Sequence, residues 1–459
     1  MDVLPRIPRT ERTPARLRPP RGRSAAARGY RWGVTRPLAV VDTADPLACL
    51  IALRAALAGE GPAVLFRGGG VNPVQTAPLT VEKHIALVVE TSGTTGRPKR
   101  VALSADAVLA SAAATEGALG GPGQWLLALP VQYIAGSNVL ARSLAAGTTP
   151  VLVPPGGLTS ARVREAVAAM DNPVKYTALV PAQLSRLVDE AEAEAQTKAE
   201  AETKAEAQTK AEAEANAGEE AQANAGEKLQ ANPEANTGAE TGGDLQSALA
   251  GFARILVGGQ STPASLIERA TALGWNVTRT YGSSETCGGV VYDGIPVGQA
   301  AVRIVDGRIE LGGPTLADYY LSDPERTERT FVEHDGSRWY RTDDAGEFVD
   351  GVLRVLGRLD DTIVTGGLKV RLGEVERIVR EQPGLSDAVV VAGYHPEWGD
   401  VPVVVTTARP ALDEVRRAVG AVLTPESRPH RIITVDAVPT LPSGKPDRLA
   451  AARLASADR

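Results

Sequence analysis

Residues 85–89, within the stretch HIALVVE (84–90), are five apolar side chains in a row. A strand written this way is apolar on both pleat faces, so both faces need cover. That is the position of a parallel strand sandwiched between helical layers. A loop rich in Thr, Ser and Gly follows, TSGTTGRPK (91–99), and then Ser104 stands as an N-cap before ADAVLASAAATEGAL. QWLLALP (124–130) and TPVLVP (149–154) read as further strands, and SARVREAVAAM and PAQLSRLVDEA as helices. This alternation predicts an α/β fold with a largely parallel sheet.

The pattern breaks at 191–240, a segment of Ala, Glu, Lys, Gln and Thr that repeats about every six residues. A six-residue period spreads its side chains around a 3.6-residue helix, so no apolar stripe forms and no core can be buried. The segment reads as an exposed, partly helical or disordered insertion that packs against nothing. Beyond it, FARILVGGQSTP and WNVTRTYGSSET are strand-and-loop units. VRIVDGRIELGG and WYRTDDAGEFVDGVLRVLGR are β segments joined by Asp/Gly turns. After Asp360, about a hundred residues alternate helix and strand, which predicts a small α+β domain over 360–459. The large domain then spans 33–359. Residues 1–32 carry nine Arg and many Pro and read as a disordered extension, with a tether to anionic surfaces as the competing reading.

The net charge of −6 argues against nucleic acid as the main partner. Two cysteines, Cys49 and Cys287, form neither a disulfide framework nor a zinc cluster, which points to the cytoplasm. No apolar run is long enough for a membrane span, and no secretory signal opens the chain.

Lysine usage separates two loops from the rest. Nine of 49 basic residues are Lys, and four of those nine lie in the insertion. Lys99 and Lys445 both sit in Gly/Pro/Ser-rich loops, where a compact point charge rather than a planar fork was retained. In TSGTTGRPK, the glycines permit close backbone approach and the hydroxyls of Thr91, Ser92, Thr94 and Thr95 can donate to phosphate oxygens. The spacing differs from that of a Walker loop.

TSGTTGRPK resembles the phosphate loop of the adenylate-forming superfamily, which includes acyl-CoA synthetases, luciferases and the adenylation domains of peptide synthetases. YGSSET (281–286), WYRTDD (339–344), GRLDDTIVTGGLKVRLGEVE (357–376) and LPSGKPDR (441–448) match that family's later motifs in order. Asp343 replaces the usual Gly of the third. The resemblance implies a large α/β N-terminal domain of adenylate-forming type and a small mobile C-terminal domain. It implies an ATP-dependent carboxylic acid–CoA ligase working through an acyl-adenylate, with ATP and Mg²⁺ bound and coenzyme A as cosubstrate.

The same resemblance implies residue roles. Thr91, Ser92, Gly93, Thr94, Thr95, Gly96 and Lys99 would hold the β- and γ-phosphates, with Thr91 also catalytic. Glu285 would hold magnesium. Ser284 and Thr286 would touch the α-phosphate. Gly259, Tyr281 and Gly282 would border the nucleotide. Asp344 would accept the ribose hydroxyls with help from Arg358. Asp360 would be the hinge, and Gly366 and Gly367 would line the CoA channel. Lys445 would lie between the attacking carboxylate and the α-phosphate.

Tyr133, Ser137, Asn138 and Gly258 would line the acyl pocket. The segment LPVQYIAGSN (129–138) holds no carboxylate for the ammonium of an amino acid, and fourteen residues follow Lys445, too few for a carrier domain. Both features argue against a peptide-synthetase module. Family ligases have His where this chain has Tyr133, so the acid itself stays open. Another aryl or acyl acid–CoA ligase and an inactive nucleotide-binding relative are the competing readings. A homodimer is compatible with this family.

Overall fold

In the computed structural model, residues 34–68, 79–91, 98–154, 157–220, 244–441 and 445–456 are described, with the backbone alone over 211–220. The expected N-terminal extension lies outside them. So do 92–97 of the phosphate loop and 442–444 of the last motif.

Ile85–Thr91 lies in a six-stranded sheet, parallel to Ala63–Arg67, which is parallel to Thr35–Asp42. Its first five side chains are at most 1% exposed, as a strand apolar on both faces requires. On its other side the sequence reading needs correcting. The strand Lys99–Ser104 pairs antiparallel with Ile85–Thr91, so a strand, which the sequence reading lacked, stands between Thr91 and the helix. The helix Ala105–Leu119 then starts where expected, its third amide capped by Ser104. Such a cap contributes about 1 kcal/mol.

A seven-stranded sheet forms the second layer, ordered Ile295–Pro296, Gly288–Tyr292, Val277–Ser283, Arg254–Gly258, Lys175–Leu179, Gln124–Leu127, Val151–Leu152. From Val277–Ser283 to Val151–Leu152 all its pairings are parallel. The helices Pro46–Ala58, Ala105–Leu119 and Ile134–Ala146 lie between the two sheets and share one core with them. An antiparallel five-stranded sheet holds the hairpins after residue 300. Its turns use Asp306–Gly307, Asp335–Gly336 and Asp350–Gly351, each pair at positive φ. Two-residue hairpins of this twist demand that geometry, and Asp–Gly supplies it.

A smaller lobe follows, with its own core and sheet. Leu368–Arg371, Thr362–Thr365, Gly399–Thr406 and Val389–His395 pair antiparallel, and Arg431–Thr434 adds a parallel edge. The helix Leu372–Arg380 packs on it with Leu372, Val375, Ile378 and Val379 buried.

The insertion is helical at its start, and one expectation fails there. A 40-residue helix, Pro181–Glu220, carries its first turns into the body, where Leu184, Leu187, Val188 and Ala191 are buried. Asp189 and Glu192 pair with Arg269. Glu194 pairs with Arg164 and accepts the Leu245 amide at 3.1 Å. The repeat therefore packs against the protein through Glu194, and exposed helix begins at Ala195. Ala191 to Glu194 look like the rest of the repeat in sequence; only the neighbours of the helix distinguish them.

Candidate active site

The strand Val277–Ser283 runs into a 3₁₀ turn, Ser284–Thr286, and returns as Gly288–Tyr292. A reciprocal cap fixes the turn. Glu285 N donates to Ser283 Oγ at 3.2 Å, and Ser283 N donates to Thr286 Oγ1 at 2.9 Å. Glu285 is 5% exposed, and Tyr320 Oη donates to its Oε1 at 2.7 Å. Burial and the neighbouring Glu285 carboxylate push the Tyr320 hydroxyl far up, so it stays a donor. Glu285 Oε2 accepts no hydrogen bond among the described residues. Among them no group of three or more His, Cys, Asp or Glu forms a ready metal cage. A lone hard carboxylate fits Mg²⁺, which keeps waters and takes further oxygens from substrate phosphates.

Thr286 corrects the sequence reading. It is 0% exposed, and its hydroxyl is committed to Ser283 and to Gly288 O at 2.8 Å, so it does not face a phosphate. Ser284 has no hydroxyl partner among the described residues and remains the available donor of the turn. Gly282 faces Gly289 across the strand pair, beside a register shift.

Asp344 accepts from Tyr281 Oη at 2.7 Å. Burial raises its pKa, with Tyr281 and Arg358 pulling the other way and Asp343 and Asp360 adding to the rise. Arg358 lies opposite Asp344 in the strand register, yet its fork goes elsewhere. Nε and Nη2 each donate to Asp360 at 2.7 Å, and Asp343 is 3.5 Å away. In this arrangement Arg358 holds the expected hinge residue rather than reaching toward a ribose.

Lys445 arrives from the smaller lobe. Its loop is tied down by Leu441 N to Lys445 O at 2.7 Å and by Asp447 N to Pro439 O at 2.8 Å. Arg448, opening the helix Arg448–Ser456, donates to the buried Glu376 at 2.7 Å. The Lys445 stem lies against Gly259, where a Cβ would stand 3.5 Å from Cε and where φ is +82°. A Cβ there would make ordinary contact with the lysine stem, but the positive φ would strain any residue other than Gly. Lys445 keeps access to solvent, but the protein packed around its ammonium lowers its pKa, opposed by Glu285 and Asp344.

Thr91 and Lys99 face each other at the mouth of the hairpin. Ser92, Gly93, Thr94, Thr95 and Gly96 lie outside the described residues. Beside Lys99 a cleft of about 330 Å³ carries Arg308, Arg326, Arg329 and Arg341 against one carboxylate, Asp343. Tyr320 is part of its wall, with Lys99 Nζ 5.9 Å from the ring centroid. Sequence reasoning missed these arginines, which come from three separate segments.

Tyr133 is half-buried at the start of the helix Ile134–Ala146. Ser137 and Asn138 are buried on that helix, but both polar groups are used. Ser137 Oγ donates to Val131 O at 2.7 Å, and Asn138 Nδ2 donates to Cys287 O at 2.8 Å. They offer no free polar hand, and Gly258 is required by the close approach of Thr280. A residue that sequence reasoning missed follows Asn138 by one turn. Arg142 is 7% exposed, has no partner for Nε and makes no ion pair among the described residues. Its guanidinium lies over the Trp125 ring at 4.9 Å, beside a cavity of about 10 Å³, room for about one water. Gly366 and Gly367 form an exposed turn with open space around them.

Comparison with known proteins places this geometry. The AMP-binding enzyme family matches residues 39–336, and the AMP-binding enzyme C-terminal domain matches 374–445. A probable 2-succinylbenzoate–CoA ligase of Mycobacterium tuberculosis is 33% identical over 426 residues, covering 88% of this chain and 94% of that protein. Novobiocin biosynthesis protein H of Streptomyces niveus is 29% identical, covering 93% of this chain and 64% of that protein. Among solved structures, the o-succinylbenzoate CoA synthetase of Bacillus subtilis with its acyl-adenylate intermediate has a TM-score of 0.60 at 22% identity, covering 84% and 74% of the two chains. An amide bond synthetase of Marinactinospora thermotolerans has a TM-score of 0.62 at 22% identity, covering 91% and 79%. This chain belongs to the AMP-binding enzyme family.

Proposed function

We propose that this chain is an AMP-forming acid–CoA ligase acting on 2-succinylbenzoate, the ligation step of menaquinone biosynthesis. The carrying observation is that Lys445, from the smaller lobe, lies against Gly259 and within the electrostatic reach of Glu285 and Asp344. Asp344 accepts the ribose hydroxyls, and Ser284 donates to the α-phosphate. The β- and γ-phosphates lie toward Lys99 and the arginine-lined cleft. Glu285 would hold magnesium, which would draw charge from the phosphate oxygens.

The acid's carboxylate oxygen attacks the α-phosphorus, and the bond to the bridging oxygen breaks, so pyrophosphate leaves with that electron pair. Lys445 donates to the oxygens on which charge grows, the general means of lowering a phosphoryl-transfer barrier. The CoA sulfur then attacks the adenylate carbonyl, losing its proton, and AMP leaves.

The choice of acid rests on Arg142. A buried guanidinium without a carboxylate is costly unless a ligand supplies one. It lies one turn beyond Asn138 on the helix that starts at Tyr133. An acid with a second carboxylate would complete it. Cys49 and Cys287 are both free and buried, which fits a reducing cytoplasm.

The test is AMP release with ATP across a panel of acids, with and without CoA. 2-Succinylbenzoate should give CoA-dependent turnover well above benzoate and fatty acids. Preference for a monocarboxylic acid would move the chain to another acid–CoA ligase, and no AMP with any acid would make it an inactive relative.

A further inference from the structure

The helix Ala264–Ala272 begins without a cap from its own segment. Its N-cap position is Pro263, which offers no side-chain acceptor. The first two amides nonetheless have partners. Ala264 N donates to Glu381 Oε1 at 3.1 Å, and Ser265 N donates to Glu381 Oε2 at 3.3 Å. Glu381 stands 117 residues away, at the end of Leu372–Arg380 in the smaller lobe. Its carboxylate satisfies two orphan amides and meets the positive end of the helix.

Arg380, beside it, adds a second contact. Nη1 donates to Ser261 O at 3.1 Å, while Nε donates to Ser386 O within its own lobe at 2.8 Å. Arg380 is 9% exposed, so this link between lobes is made away from water. Both anchors grip residues 261–265. Two residues before that grip is Gly259, against which the Lys445 stem lies. One short segment therefore touches the smaller lobe at its lysine and at its Glu381–Arg380 corner.

We propose that Glu381 and Arg380 are positioning residues that dock the smaller lobe in the arrangement where Lys445 reaches the reacting phosphate. Neither touches substrate. The proposal rests on the adenylate-forming reading above and adds that the lobe's docking strength is set at the N-terminus of Ala264–Ala272. If the lobe rotates about Asp360 for the thiol step, as the family resemblance implies, these bonds break and the two amides are left to water. The pair therefore favours the first half-reaction over the second.

The test uses the full chain with Glu381→Gln, Glu381→Ala and Glu381→Lys, measuring adenylate formation and conversion of supplied acyl-adenylate to thioester in single turnover. Adenylate formation should fall in that order: a few-fold for Gln, which keeps one acceptor, about tenfold for Ala and more for Lys, which repels the helix end. Thioester formation should be unchanged or faster, and far-UV CD and thermal melts should match those of the unaltered chain. Equal slowing of both half-reactions, or no slowing of adenylation by Lys, would overturn the proposal. If the unaltered chain forms no adenylate with any acid, the functional reading fails instead. Docking is then read directly from hydrogen exchange at Ala264 and Ser265, which the proposal requires to accelerate in Glu381→Ala.

Discussion

Replacing Arg142 by Met should cost the fold little or stabilise it, and damage the enzyme. The guanidinium is buried, its Nε has no partner, and no carboxylate pairs with it among the described residues. An unsatisfied buried polar group costs about 1–3 kcal/mol. The contact with the Trp125 ring returns about 0.5–2 kcal/mol of that. Met keeps most of the stem's volume and removes the charge. Its net effect on stability should therefore lie between about 1 kcal/mol of loss and about 2.5 kcal/mol of gain. Loss of a charged hydrogen bond to a substrate carboxylate costs about 1.5–3 kcal/mol. That corresponds to about a 10- to 150-fold rise in KM for the acid, because 1.4 kcal/mol is tenfold. The assays are a thermal melt and AMP release with 2-succinylbenzoate and with an aromatic acid lacking the second carboxylate. The melt should fall by no more than a few degrees or rise, and only the dicarboxylic acid should lose affinity. An equal loss for both acids would refute the assignment of Arg142 to the second carboxylate. A large fall in melting temperature would refute the claim that the charge is an uncompensated cost to the free protein.

Lys445→Ala should slow adenylate formation by about 10²-fold, the scale of a lost transition-state charge contact, and spare thioester formation from supplied adenylate. With the native lysine, whose pKa burial lowers, adenylation should hold at low pH and fall as pH rises through that pKa; Lys445→Arg should shift this fall to higher pH. Asp344→Asn should weaken ATP by about 1.5–3 kcal/mol without lowering the melting temperature, since an amide is easier to bury. Unchanged ATP affinity would transfer the role to Asp343. A short Gly/Ser linker in place of 196–240 should leave CoA-ligase turnover within a few-fold, whereas replacing 191–240 should also lower the melting temperature by removing Glu192 and Glu194 from Arg269, Arg164 and Leu245. Tyr133→Ala should raise KM for the acid more than for ATP; equal rises would place Tyr133 outside the acyl pocket.

Local rules carried the sequence reading where structure is local. Ser104 announced the helix Ala105–Leu119, and Asp306–Gly307 and Asp350–Gly351 announced their turns. The strand Lys99–Ser104 was missed because it is short and opens with two cations, and its partner decides it. Adjacency misled at Thr286, since a 3₁₀ turn sends neighbouring side chains in different directions and buries that one. Arg142 reads as an ordinary helical cation, although its place four residues after Asn138 was a signal, because positions i and i+4 share a face. Glu381 gave no signal, because its partners are amides of a distant segment.

The insertion joins two strands that are direct neighbours, Lys175–Leu179 and Arg254–Gly258, paired from Tyr176 opposite Arg254 to Leu179 opposite Val257. The join can lengthen without disturbing the sheet, since closing a flexible connection costs only about 0.6 kcal/mol more for each doubling of its length. A sequence arising there by duplication of a six-residue unit meets little thermodynamic resistance until it presses on a neighbour. The same placement makes the exposed helix beyond Glu194 a natural seam. A protease that cuts it leaves two fragments already held side by side by the central sheet, so the chain can be severed in one place and remain one folded body.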